Sequence, residues 1–106
     1  MLPDIAMVHA TYPPTATRKL VEAFMSPELP SRPGGVKEVV NFVYGDRDGF
    51  HTIVILEVDD AGLAQCMKNQ VERNVFLQSR VEGLRIEVHT ALPREDAIKI
   101  ASQLAA

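Results

Sequence analysis

The stretch VKEVVNFVYGDRDGFHTIVILEV, residues 36–58, sets the fold class. Its first nine residues are rich in β-branched and aromatic side chains, which suit a pleated, half-buried strand. GDRDG, 45–49, then places glycine at both ends of a short acidic turn, the composition of a hairpin. FHTIVILEV, 50–58, is the most apolar strand-like run and the best candidate for a central strand.

The flanks build out from this hairpin. IAMVHATY, 5–12, reads as a strand ended by Pro13 and Pro14, because proline has no N–H for a ladder. Thr15 is placed to cap a helix carrying Ala16, Leu20, Ala23 and Phe24 at helical spacing, which Pro27 ends. SPELPSRPGG, 26–35, is a long loop with the stiffness of a connector or the placement of a lid. Beyond the hairpin, Asp59 or Asp60 is positioned to cap a second helix with Leu63, Met67, Val71 and Val75 at four-residue steps, stopped by Gly83. LRIEVHTAL, 84–92, alternates as a strand, and a last helix follows Pro93 with Ala97, Ile98, Ala101 and Leu104 on one face. The order β-α-β-β-α-β plus a C-terminal helix predicts an α+β, ferredoxin-like sandwich with an antiparallel sheet. One domain, 1–106, is expected, with its core over 5–92 and the added helix over 94–105.

The 106 residues are 46% apolar with a net charge of −3. That composition supports a folded core and disfavours a basic nucleic-acid surface. No segment reaches the roughly 18 apolar residues that span a bilayer, and the N-terminus lacks a signal-peptide pattern, so a cytoplasmic protein is expected. The single cysteine, Cys66, is expected to be an inert buried thiol. The DRDG turn lacks the glycine spacing and helical flanks of a calcium loop, and nucleotide-loop, serine-elbow and HExxH motifs are absent. No cofactor and no metal are expected.

Strand alternation puts His9, His51 and His89 on the face of the sheet away from the helices. With strands one and three taken as parallel, His9 lies at one end and His51 and His89 at the other. His9 and His51 are then separated by about 13 Å. The three imidazoles then do not converge on a metal, and His51 reads as a polar residue at a strand end. The same directions set His9 beside Glu57 and Arg85, with Thr11 two residues on. His9 is then a candidate acid or base oriented by Glu57, Arg85 and Thr11 are candidate ligand contacts, and Asn41 is a candidate pocket amide. The helix-free face also carries Ile5, Met7, Val39, Val43, Ile53 and Ile55, an apolar area that calls for a cover. Self-association is the simplest one.

This layout resembles the dimeric α+β barrel superfamily. The carrying features are the element order over 5–92, the hairpin NFVYGDRDGFHTIVILEVDD and the terminal LRIEVHTALPREDA. The last two stretches are similar in layout to small bacterial GYD-type domains and related families of unknown function. The resemblance implies two protomers packing their open sheet faces into a barrel. The superfamily includes cofactor-free monooxygenases, haem degraders, lactone isomerases, chlorite dismutase-like proteins and amino-acid-sensing domains, so the fold does not choose a function. The absence of tryptophan departs from the haem degraders and the antibiotic-biosynthesis monooxygenases, which use it in their pockets. The expectation is a small-ligand-binding or regulatory homodimer. The alternative is a cofactor-independent oxygenase or isomerase acting on an anionic or aromatic small molecule.

Overall fold

The structure is a computed structural model that describes residues 4–59 and 62–105. It contains β1 (Asp4–Tyr12), a 3-10 turn (Pro14–Ala16), α1 (Thr17–Phe24), β2 (Val36–Asp46), β3 (Gly49–Val58), α2 (Leu63–Arg80), β4 (Arg85–Ala91) and α3 (Arg94–Ala105). The sheet order is β2-β3-β1-β4. Every neighbouring pair is antiparallel. This is the ferredoxin-like arrangement anticipated from the element order.

One expectation about direction is overturned. β1 and β3 run antiparallel, with Thr11 opposite His51 and Ile5 opposite Glu57. The connectivity explains it. The crossover through α1 returns the chain parallel to β1, and the hairpin then reverses it, so β3 must oppose β1. The ends of β3 are therefore exchanged relative to the sequence-based placement.

A second correction concerns β2. Its pairing shifts between Glu38 and Val40, leaving Val39 as an extra residue in a β-bulge. Because side chains alternate with period two, one extra residue inverts the faces beyond it. Glu38, Asn41 and Val43 pair with Leu56, Val54 and Thr52 on the helix side, whereas Val40, Phe42 and Tyr44 pair with Ile55, Ile53 and His51 on the open side. Val43 thus leaves the predicted open-face set, and Phe42 and Tyr44 join it.

Helix starts also differ from expectation. Thr15 lies inside the 3-10 turn, and the hydroxyl of Thr17 donates to the Pro14 carbonyl at 2.7 Å. α2 begins after Gly62 without a side-chain cap; Asp59 supplies only its carbonyl, to the Gly62 N–H at 3.0 Å, and Asp60 lies outside the described residues. α2 runs unbroken to Arg80, and Gly83, with φ of +83°, turns the chain into β4.

The core forms in two parts between sheet and helices. Ala6, Val8, Val54, Leu56, Val58 and Cys66 pack at one end. Tyr12, Leu20, Ala23, Leu77, Val81 and Leu84 pack at the other. Burial raises the Cys66 thiol above its usual range, opposed by the nearby Arg32 charge, which favours the protonated form. Loop 26–35 is pinned rather than loose. Asn69 Nδ2 donates to the Ser31 carbonyl at 2.8 Å, Arg73 Nη1 to the Pro30 carbonyl at 2.6 Å, and Arg80 pairs with Glu28. α3 leaves Ile98, Ile100 and Leu104 exposed. Among the described residues no helix is long and apolar enough to cross a membrane.

Candidate functional site

Two constellations lie on opposite faces of the sheet. The first is a cavity of about 310 Å³ between the helix-side face and α1, α2 and the pinned loop. Its apolar wall includes Leu20, Phe24, Val54 and Leu77, with Tyr12 and Val8 beside them. β2 is the outer strand beside β3, and its residues form one wall of the gap. The bulge then turns Glu38, Asn41 and Val43 toward the uncovered space.

Charged and amide side chains converge on this cavity from three elements. Arg32 comes from the loop, Gln70 and Arg73 from α2, and Glu38 and Asn41 from β2. Arg32 Nη1 donates to Gln70 Oε1 at 2.6 Å, and its Nε lies 3.9 Å from Glu38 Oε2. Asn41 Nδ2 donates to Glu38 Oε1 at 2.7 Å. Gln70, itself buried, donates onward to Asn74 Oδ1 at 2.6 Å. Burial lowers the Arg32 pKa, opposed by the Glu38 charge. Arg73 is pushed down to about 10, first by burial and then by the nearby Arg32 charge. Among the described residues, the Arg73 Nε is buried without an acceptor, and Asn69 Oδ1 without a donor.

The second constellation occupies the open face. His51 is only 6% exposed. Its Nε2 lies 2.8 Å from Asp46 Oδ1, and its Nδ1 lies 2.8 Å from His9 Nε2 and 3.3 Å from Thr11 Oγ1. The His51 ring stacks on Tyr44 at 4.6 Å between centroids, and meets the His9 ring edge to edge, with centroids 5.0 Å apart along the hydrogen bond. An ionised carboxylate only accepts, so Asp46 assigns the Nε2–H tautomer to neutral His51. Nδ1 is then the acceptor for His9 Nε2–H, which leaves His9 Nδ1 as the outer lone pair. A proton taken up there can pass along the chain toward Asp46. The hydrogen bond from His51 and the Asp48 backbone N–H lower the Asp46 pKa. Asp46, Asp48 and His51 also present ligand atoms within 4.8 Å of one another on the hairpin. That donor set has metal-binding chemistry, but Asp46 Oδ1 already serves His51 and the Asp48 N–H.

These positions correct the sequence-based site. His9 and Thr11 do meet, through His51. Glu57 does not orient His9; it pairs with Ile5, four residues along β3 from His9's partner Ile53. Arg85 sits opposite Thr11 on β4, exposed. Asn41 lies on the other face, in the cavity. His51 is the hub of the relay and not a bare strand end. His89 is apart from it, 3.4 Å from Glu87 on the surface. Arg32, Arg73, Glu38 and Gln70 were not anticipated. The available signal was the pair of arginines in a chain otherwise acidic on balance, one of them in the Pro-rich loop.

No family model matches the sequence, and no curated protein matches it. Among solved structures, the fold is similar to a Caulobacter crescentus protein provisionally described as an antibiotic biosynthesis monooxygenase. The TM-score is 0.49 at 13% identity, over 87% of this chain and 92% of that one. At that identity and score the likeness carries no chemistry to this chain.

Proposed function

We propose that this chain is a small-ligand-binding module that works as a homodimer, with the ligand held between the sheet and α1, α2 and loop 26–35. The carrying observation is the cavity of about 310 Å³ with apolar walls and a few converging polar groups. Small-molecule sites typically have this size and lining. Self-association is supported by the open face, where Phe42 is 49% exposed and Tyr44 42% exposed beside Ile53 and Ile55. A second copy seated there covers that surface and encloses His9. A ligand screen read by thermal shift and amide chemical shifts tests the binding reading. Shifts at Leu20, Val54 and Leu77 are expected; saturating screens without any shift count against it.

A second reading has one specific observation behind it, the Asp46–His51–His9 chain. It supports a cofactor-independent oxygenase or isomerase with His9 as acid or base and His51 and Asp46 as positioning residues. Such a substrate sits on the open face, since the sheet separates His9 from the cavity. Once turnover is found, His9→Ala is expected to abolish it. Asp46→Asn is expected to lower it and to alter its pH profile. Full turnover in His9→Ala sinks this reading.

A further inference from the structure

We propose that the cavity binds a small apolar monocarboxylate, with the carboxylate held by Arg73 and Arg32. This rests on the cavity being a ligand site, as proposed above.

Among the described residues, the cavity holds two guanidiniums and one carboxylate. Arg32 and Arg73 line it together, and Glu38 is the acidic residue lining it. Glu38 is a weak match for Arg32. It stands 3.9 Å from Nε, beyond hydrogen-bond reach, and its side chain is 39% exposed against 16% for Arg32. Arg73 has a backbone carbonyl, Pro30 O, and a buried Nε without an acceptor. Buried cations are normally paired, and an unpaired buried donor costs free energy. The site therefore carries an excess of one positive charge and an open N–H. A guanidinium presents parallel N–H groups that match the two oxygens of a carboxylate. One excess charge fits a monoanion, while a dianionic phosphate carries a larger desolvation cost against Leu20, Phe24, Val54 and Leu77. An anion between the guanidiniums offsets, by its opposite charge, the burial and the Arg32 repulsion that lower the Arg73 pKa.

A strut role does not account for the charge. Pinning loop 26–35 to α2 through Pro30 O needs one neutral N–H, which glutamine supplies. Asn69 Oδ1 lies one helical turn before Arg73 and also lacks a partner, so an internal Arg73–Asn69 bond is the competing account of the open N–H.

The test uses the full chain and paired probes: straight-chain and phenyl-substituted carboxylic acids, each beside its primary amide. Affinity is read by titration calorimetry, and the Arg Nε–H resonances by nitrogen-edited NMR. The expected result is that the best acid binds at least tenfold tighter than its amide and moves the Arg73 Nε–H resonance. Arg73→Gln and Arg32→Gln are each expected to bring the acid-to-amide ratio near one, with amide-proton spectra showing an intact fold. Asn69→Ala is expected to leave the ratio unchanged. Acids and amides binding equally overturn the anion proposal and leave the cavity reading standing. Binding of neither overturns both. Loss of the ratio in Asn69→Ala, or an Arg73 Nε–H resonance unmoved by the acid, overturns the assignment of Arg73.

Discussion

Gly49→Ala is expected to be among the most damaging single-methyl changes in this protein. Gly49 has φ of +121°, and a Cβ built there meets the Tyr12 carbonyl oxygen at 2.5 Å. The positive φ costs an L-residue about 1–2 kcal/mol. Forcing a methyl against backbone that cannot swing aside adds about 1–3 kcal/mol. The sum, roughly 2–5 kcal/mol, is a large part of the 5–15 kcal/mol that typically holds a domain folded. At about 4 °C per kcal/mol for a chain of this size, Tm falls by roughly 8–20 °C. Gly49 pairs with Asp46 across the turn, so relief of the clash also moves Asp46 from His51. The assay is thermal unfolding by circular dichroism, with His51 imidazole nitrogen shifts as the local readout. Gly34→Ala is the control, since its Cβ meets nothing within 4 Å. If both variants unfold within a degree or two of wild type, the reasoning about this turn is wrong.

Other outcomes follow from the same geometry. Leu56→Ala, at a fully buried site between Ala6 and α2, is expected to cost about 2–5 kcal/mol in chemical denaturation. Asp46 has a lowered pKa in the fold, so its stabilisation is present above the unfolded value near 3.8 and is lost as pH falls through the folded one. Asp46→Asn should therefore unfold at lower temperature than wild type at neutral pH, with the gap closing below about pH 4. Nitrogen NMR at neutral to mildly alkaline pH should find His51 as the Nε2–H tautomer, and Asp46→Asn should mix the tautomers; a dominant Nδ1–H form in wild type contradicts the relay. Phe42→Glu, on the open face, should convert a dimer to a monomer in native mass spectrometry while leaving the fold intact, and a wild-type monomer at tens of micromolar removes the self-association premise.

The element order and the alternation of β1 and β3 were legible because they are local. Ala6 and Val8 face the core, and His9 and Thr11 face away, simply from period-two side chains. The pairing of His9 with His51 was also within reach. It required only the direction rule for a crossover followed by a hairpin, and the parallel assignment of β1 and β3 concealed it. Asn41 as a pocket amide reached the correct residue from the wrong face.

The rest depended on features with no local signature. VKEVVNF shows no mark at Val39, since three valines fit either register, and only the partner strand reveals which residue is extra. That one bulge sends Glu38 and Asn41 to the same side. Arg32 and Arg73 lie far apart in sequence and meet because loop 26–35 is tied down on α2 by Asn69, Arg73 and Arg80. The sequence by itself determined which elements form and which faces of the central strands are apolar, because those follow from neighbours a few residues away. The tertiary structure alone decided which charges share a cavity and which carboxylate holds His51, because those depend on the path of a loop and the register of an edge strand.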